Sequence, residues 1–146
     1  MIVDARDLVA KWGTSFHQAL FDLSKGRVAG KMGGMPVVKL TTTGAKSGKT
    51  RHTMLTSPLH DDKRVILIAS YGGADHHPAW YVNLRAHPDV TVTMEGRTRP
   101  MHARTASTAE KADLWPQIVA KYKGYGGYQK KTDRDIPVVI LEPAGA

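Results

Sequence analysis

The sequence contains no cysteine among its 146 residues. A chain without thiols forms no disulfide, thiolate zinc site or iron–sulfur cluster and has no cysteine nucleophile. The absence also fits a reducing cytoplasm, where disulfides are rare. Acidic residues are few, with 13 against 21 Lys and Arg residues, and the formal net charge is +8. We therefore expect an anionic partner, which leaves nucleic acid, an acidic membrane and a phosphorylated small molecule as alternatives.

Long hydrophobic runs are missing as well. The longest ones lie within residues 65–69 and 136–141, far below the ~20 residues needed to cross a bilayer. No basic segment followed by an apolar stretch opens the sequence, so no secretory signal is expected. We expect one soluble, cytoplasmic domain over residues 1–146.

Apolar residues at intervals of three and four predict an amphipathic helix over residues 8–23. A Gly-rich connection follows over residues 26–36, so residues 1–30 are expected to form the helix and the start of this connection. Two further helices are predicted, one from Pro78 to residue 86 and one that begins at Ser107 or Thr108.

Short β-branched segments with turn residues between them predict about six strands. These strands cover residues 37–43, 51–60, 64–70, 90–94, 97–105 and 138–141. Their short links require antiparallel neighbours, and Pro100 favours a sheet edge or a bulge. We expect an α+β fold, an antiparallel barrel or sandwich with peripheral helices.

The most informative motif is the basic turn, residues 41–51, with the sequence Thr-Thr-Thr-Gly-Ala-Lys-Ser-Gly-Lys-Thr-Arg. It is not a nucleotide P-loop, because only three residues separate Gly44 from Gly48 and an extended segment follows. The two glycines permit a tight turn whose N–H groups converge on an anion, and Ser47 adds a hydroxyl. Three cations surround them: Lys46, Lys49 and Arg51. An exposed hairpin turn with solvated lysines is the alternative interpretation.

Two further segments are candidates for a ligand site. Residues 69–74, Ala-Ser-Tyr-Gly-Gly-Ala, place two adjacent glycines between a strand and a helix start. A flat group could approach the backbone there, or the segment is a plain loop with Trp80 in the core. Three of the five tyrosines follow later: Tyr122, Tyr125 and Tyr128. They form either a wall over a planar substrate or the packing at a helix end.

Other catalytic motifs are not found. His76 and His77 are adjacent, and neighbouring side chains rarely bind one ion, so no metal site is expected. The Gly-x-Ser-x-Gly elbow of serine hydrolases does not occur in the sequence.

Taken in this order, the three segments resemble the deazaflavin-dependent nitroreductase family, whose members use reduced coenzyme F420. The resemblance runs from about residue 33 to residue 143 and includes Trp115-Pro116 and Thr132-Asp-Arg-x-Ile-Pro137. It implies a split β-barrel with flanking helices. It also implies an oxidoreductase that transfers a hydride from reduced F420 to a quinone, a nitroaromatic compound or an activated enone.

The resemblance implies roles for individual residues. The cofactor's phosphate and acidic tail would contact Lys46, Ser47, Gly48, Lys49 and Arg51. The deazaflavin ring would lie against Ala69, Ser70, Gly72, Gly73, Ala74, Pro78 and Trp80. The substrate would contact Trp12, Tyr122, Tyr125 and Tyr128. Ser70 and Tyr128 would be the catalytic residues, because their hydroxyls can stabilise negative charge that develops on the acceptor.

Three alternatives accompany this interpretation. An FMN-dependent split-barrel oxidoreductase keeps the barrel and changes the cofactor. A non-enzymatic basic nucleic-acid-binding protein would explain the charge, but no RNA-recognition or helix-turn-helix pattern is present, so no nucleic-acid partner is expected. The helix over residues 8–23 either packs on the domain or contacts the inner face of the cell membrane peripherally, through Trp12 and Phe16. Related barrels often dimerise, which leaves a homodimer open.

Overall fold

The computed structural model describes residues 31–32 and 35–144. The helix predicted over residues 8–23 and the substrate residue Trp12 lie outside the described residues. The described strands are β1 Lys31–Met32, β2 Met35–Thr43, β3 Thr50–Thr56, β4 Leu59–His60, β5 Val65–Ile68, β6 Asp89–Met94, β7 Arg97–Thr105 and β8 Val138–Pro143. The helices are α1 Ala79–Ala86, α2 Thr108–Lys121 and α3 Gly124–Lys131, and a short 3-10 turn covers Tyr71–Gly73.

All strand pairings in the sheet are antiparallel. The order is β1-β2-β6-β7-β8-β5-β4, and β3 also pairs with β2. Tight turns make the hairpins, such as Glu95-Gly96, where both residues have positive φ. This arrangement confirms the predicted α+β fold with an antiparallel sheet and flanking helices. Of the three described helices, none is long and apolar enough to span a bilayer.

Three segments differ from the prediction. The strand expected over residues 51–60 is broken after Thr56, where the buried Ser57 hydroxyl lies 2.7 Å from the Ile66 carbonyl and 2.8 Å from that of Leu59. Part of the expected connection over residues 26–36 forms a strand pair, with Lys31 opposite Pro36. The Gly-rich residues 124–127 belong to helix α3, because packing overrides the low helix propensity of glycine.

Pro100 lies in β7 at a position that is paired with a strand on one side only, as expected for a residue without an N–H. It pairs with Thr91 of β6, whereas pairing between β7 and β8 begins only at Met101. The register between β6 and β7 is continuous, so no bulge forms there. Proline is tolerated because β8 ends at Pro143, opposite Met101, and beyond it, among the described residues, only the Pro100 carbonyl is bonded, by the Ala144 N–H at 3.3 Å.

Strands β5 and β8 are buried on both faces, and this burial positions the loops beside them. One face packs with Trp80 and Leu84 of α1, and the other packs under α2 and α3. The first face contains Val65, Leu67, Val139 and Leu141, and the second contains Ile66, Ile68, Val138 and Ile140. The loop after β5 therefore meets the segment before β8, where the Ala69 N–H donates to the Pro137 carbonyl at 3.0 Å.

Helix α2 begins with the predicted cap. The Ser107 hydroxyl accepts from the Glu110 N–H, and the Glu110 carboxylate accepts from the Ser107 N–H. Glu110 also binds Arg104 through two hydrogen bonds of 2.9 and 3.0 Å, while Arg104 Nε reaches Glu142 at 2.6 Å. The Arg104 guanidinium, followed by the Ser107 N–H, lowers the pKa of Glu110 to about 2.

Candidate functional site

The basic turn connects β2 to β3 and is closed by its own backbone. The Gly44 N–H donates to the Lys49 carbonyl at 2.8 Å, and the Gly48 N–H donates to the Gly44 carbonyl at 3.0 Å. Gly48 has a φ of +70°, and a Cβ at Gly44 would lie 2.5 Å from Ser47 Oγ. The positive φ favours glycine at position 48, whereas a side chain at position 44 would displace the Ser47 hydroxyl and press on the Lys49 carbonyl at 3.3 Å.

The outer side of this turn presents positive charge. Among the described residues, the backbone N–H groups of Lys46 and Ser47 have no acceptor. The exposed side chains of Lys46, Lys49 and Arg51 have no carboxylate partner among the residues that the structure describes. Two N–H donors beside three uncompensated cations form a site that can hold an oxyanion.

The glycine loop, residues 69–77, contains a buried hydroxyl group, that of Ser70. Ser70 is only 7% exposed, and its side chain has no partner among the residues that the structure describes. Buried hydroxyls in folded proteins are normally paired. A free, buried hydroxyl directly after β5 therefore points to a ligand that accepts from it.

Helix α3 approaches the backbone of the glycine loop closely at Gly73. Gly73 has a φ of +82°, and a Cβ there would lie 2.8 Å from the Tyr128 carbonyl oxygen and 3.0 Å from Lys131 Cβ. The glycine loop is thus packed against the helix that carries two of the tyrosines. The predicted approach of a flat ligand to this loop stays a prediction.

The tyrosine cluster, Tyr122, Tyr125 and Tyr128, is brought together edge to face. The ring centroids lie 5.1 Å (122–125), 6.1 Å (125–128) and 6.5 Å (122–128) apart. Tyr125 is 6% exposed and belongs to the core, where burial raises its pKa, whereas Tyr122 is 38% exposed. A hydrogen bond with Tyr122, followed by burial, raises the pKa of Tyr128. Tyr122 is thus exposed, whereas Tyr128 is partly buried against the core beside Tyr125, and the expected contact of these rings with a substrate stays a prediction.

The residues expected at the start of α1 are buried. Trp80 is 6% exposed and lies in the hydrophobic core, edge-on to Tyr81 with 6.3 Å between centroids. Pro78 caps the helix and is also buried. This position of Trp80 fits the alternative of a core residue.

Sequence reasoning assigned no role to Arg134, which makes the densest set of polar contacts near the site. Its guanidinium donates to the carbonyls of Ala69 (3.1 Å), Ser70 (2.8 Å) and Ala74 (3.1 Å). It also lies 2.8 Å from Nδ1 of His77. The only sequence signal was the motif Thr132-Asp-Arg, which does not show what the arginine binds.

Asn83 is the second missed residue. Its side-chain oxygen accepts from the Ala45 N–H at 3.0 Å, and its Nδ2 donates to Thr42 Oγ1 at 3.3 Å. Helix α1 is thereby fastened to the basic turn. No group of three or more His, Asp or Glu side chains in the described part of the chain could hold a metal ion.

Comparisons with known proteins agree with this geometry. The model of the F420H(2)-dependent quinone reductase family matches residues 15–143. The F420H(2)-dependent quinone reductase Rv1261c of Mycobacterium tuberculosis is 36% identical over 130 residues, which cover 86% of each chain.

Two solved structures have a similar fold. One is an F420-H2-dependent reductase, FDR-A, with 42% identity and a TM-score of 0.66, covering 73% of this chain and 94% of that one. The other is described as a domain-swapped dimer, with 36% identity and a TM-score of 0.68, covering 91% of this chain and 98% of that one. On this likeness and the matched residues, the chain belongs to the F420H(2)-dependent quinone reductase family.

Proposed function

We propose that this chain reduces a quinone with a hydride from reduced coenzyme F420. Membership of the family supports the reaction class. The observation that carries the proposal to this chain is the basic turn, whose cations have no carboxylate partner among the described residues. Coenzyme F420 is a multiply charged anion, and such a turn suits its phosphate.

The basic turn binds the anionic part of the cofactor. The N–H groups of Lys46 and Ser47 and the guanidinium of Arg51 hold the phosphate, and Gly48 keeps the turn tight. Lys49 contacts the acidic tail. The N–H groups give direction, and the cations supply most of the attraction, which falls as the salt concentration rises.

The ring site lies between the glycine loop and the tyrosine cluster. When bound, reduced F420 supplies the hydride, so the chain itself needs no nucleophile. The Ser70 hydroxyl donates a hydrogen bond to a ligand oxygen close to the reacting atoms. The burial of Ser70 strengthens this hydrogen bond. Tyr128, with Tyr122, donates a phenol hydrogen to the acceptor and stabilises the charge that develops on its oxygen. Nitroaromatic compounds and activated enones are proposed as further acceptors.

Charge removal in the basic turn tests the proposal. We expect Lys46→Ala with Arg51→Ala to raise the dissociation constant for F420 at least tenfold in a fluorescence titration. The double variant Lys63→Ala with Arg97→Ala is the matched control, because it removes one exposed Lys from the turn between β4 and β5 and one exposed Arg from β7. Equal affinities of both double variants would contradict the assignment.

FMN is the competing cofactor, and the same titration distinguishes binding of FMN from binding of F420. We expect little affinity for FMN and a colourless purified protein. A yellow protein whose affinity for FMN exceeds that for F420 would favour the FMN-dependent alternative. Nucleic-acid binding would be indicated by a salt-dependent gel shift with random-sequence DNA.

The assembly and location of the protein are separate proposals. The solved relative that is described as a domain-swapped dimer favours a homodimer for this chain. Light scattering after size-exclusion chromatography measures the mass, and a monomer would contradict the dimer. Peripheral membrane contact by residues 8–23 is tested by co-sedimentation with anionic liposomes, with and without residues 1–30.

A further inference from the structure

The guanidinium of Arg134 is bound by one loop and by no carboxylate among the described residues. Its three nitrogens donate to the carbonyls of Ala69, Ser70 and Ala74 and contact His77 Nδ1, at 2.8 to 3.1 Å. Arg104, in contrast, binds two carboxylates. The guanidinium is a planar fork with five N–H donors in fixed directions, whereas an ammonium group has three donors that rotate freely and does not impose a planar arrangement on its acceptors.

These contacts determine which way two peptide groups of the glycine loop face. In a trans peptide the carbonyl and the following N–H point in opposite directions. With the carbonyls of Ala69 and Ser70 held by Arg134, the N–H groups of Ser70 and Tyr71 point away from it. Among the described residues these two N–H groups have no acceptor. The Ser70 hydroxyl is also unpartnered.

We infer that Arg134 is a positioning residue for the cofactor site, where it holds the carbonyls of the glycine loop on one side so that the donors of Ser70 and Tyr71 face the ligand. The inference rests on the proposed function and deepens it. Arg134 itself does not touch the ligand. Its action is to fix donor directions before binding, which lowers the cost of ordering the loop.

His77 makes this arrangement sensitive to its own protonation. Nδ1 can accept from Arg134 only while it carries no proton. Burial, then the charges of Arg134 and Arg85, lower the pKa of His77. Tyr81 of α1 packs edge-on against the ring at 4.8 Å, and the neighbouring Asp75 and His76 pair with each other. An imidazolium at this position would lose the hydrogen bond and repel the guanidinium.

The first test compares two arginines that each make several polar contacts. The variants are Arg134→Gln, Arg134→Lys and the control Arg104→Gln, measured for F420 affinity by fluorescence and for Tm. We expect Arg134→Gln to raise the Kd at least tenfold. Arg134→Lys should fall between it and the wild type, because the charge stays and the planar fork is lost. Arg104→Gln should lower the Tm and leave the Kd within twofold.

The outcomes distinguish a failure of the proposed function from a failure of this inference alone. A wild-type chain that does not bind F420 overturns the proposed function and this inference together. A wild type that binds, beside an Arg134→Gln variant with lowered Tm and unchanged Kd, overturns the inference alone.

A second measurement does not depend on whether the Arg134 variants fold. The carboxamide oxygen of His77→Asn can accept from Arg134 and does not titrate. Because the pKa of His77 is lowered from the ordinary value of 6.5, we expect the wild-type Kd to rise relative to the His77→Asn Kd at least threefold as the pH falls from about 7.5 to about 4, well below the ordinary histidine pKa. The ratio cancels any titration of the cofactor itself. A ratio that stays constant with pH contradicts the inference, since a merely structural arginine would leave it unchanged.

Discussion

The side-chain oxygen of Asn83 accepts a hydrogen bond from the backbone N–H of Ala45 at 3.0 Å. Asn83 stands on α1, which follows the glycine loop, and Ala45 stands in the basic turn. One amide therefore connects the two segments that we assign to the ring and to the phosphate of the same cofactor. The spacing between these two subsites depends on this contact.

Asn83→Ala is expected to weaken cofactor binding. Loss of the hydrogen bond to the turn costs about 1 kcal/mol, which corresponds to about a fivefold higher Kd for F420. Fluorescence titration measures the change. Thr42→Val is the control, because it removes only the longer bond of Asn83, at 3.3 Å. An Asn83→Ala variant that binds as tightly as the wild type would show that the two subsites are not coupled through this residue.

Ser70→Ala is expected to stabilise the fold and to slow turnover. The wild-type hydroxyl is buried without a partner among the residues that the structure describes, so we expect its removal to gain about 1 kcal/mol of unfolding free energy. Loss of the donor should lower kcat about a hundredfold, as for an oxyanion donor. Thermal unfolding and the reduction of menadione by F420H2 measure the two effects.

Ser57→Ala is the matched control for Ser70→Ala. Ser57 is also buried, but its hydroxyl binds the carbonyls of Leu59 and Ile66. Its loss should destabilise the fold by about 1–3 kcal/mol. If both variants lose stability equally, then the Ser70 hydroxyl has a partner in the folded protein.

Gly73→Ala and Gly127→Ala should shift stability in opposite directions. An alanine at position 73 would hold a left-handed conformation and meet the Tyr128 carbonyl at 2.8 Å, so we expect a loss of more than about 2 kcal/mol. Gly127 lies in α3 with nothing within 4 Å of an added Cβ, so alanine should gain about 0.5–1 kcal/mol. Urea unfolding curves measure both. A neutral Gly73→Ala would mean that α3 does not pack on the glycine loop.

The Glu110 ion pair should give a pH-dependent stability. The pKa of Glu110 in the folded protein, about 2, lies below the ordinary glutamate value of 4.5, so the contribution of the ion pair is present above about pH 4.5 and is lost as the pH falls through about 2. We expect the Tm difference between wild type and Glu110→Gln to shrink over this window. Asp113→Asn, on the same helix and without an ion pair among the described residues, should show no such trend.

The sequence predicted the sheet well, because alternation and turn residues act locally. Val90, Val92 and Met94 alternate in sequence and are buried on one face of β6. Helix α3 was missed, since its glycines favour a loop, whereas in the folded protein Tyr125 of this helix is buried in the core. Local preference is overridden wherever packing contributes more.

The site was only partly predictable for the same reason. Motifs located the basic turn and the glycine loop, which are contiguous in sequence. The contacts that hold them in place join residues far apart, such as Arg134 with Ala69 and Asn83 with Ala45. A hydrogen bond between a side chain and a distant backbone atom leaves no periodic pattern. The regular spacing of the tyrosines likewise does not show that Tyr125 is buried while Tyr122 is exposed.

The position of β8 between β7 and β5 has a consequence for folding. Among the described strands, β5 pairs only with β8 and the two-residue β4, and Arg134 reaches the glycine loop from the segment just before β8. During synthesis, the apolar strand β5 has no β8 to pair with until the segment that contains Arg134 and β8 has emerged from the ribosome. The contacts of Arg134 with the glycine loop can form only once this segment has been made, so the cofactor site that we propose cannot be complete before β8 is available to the sheet.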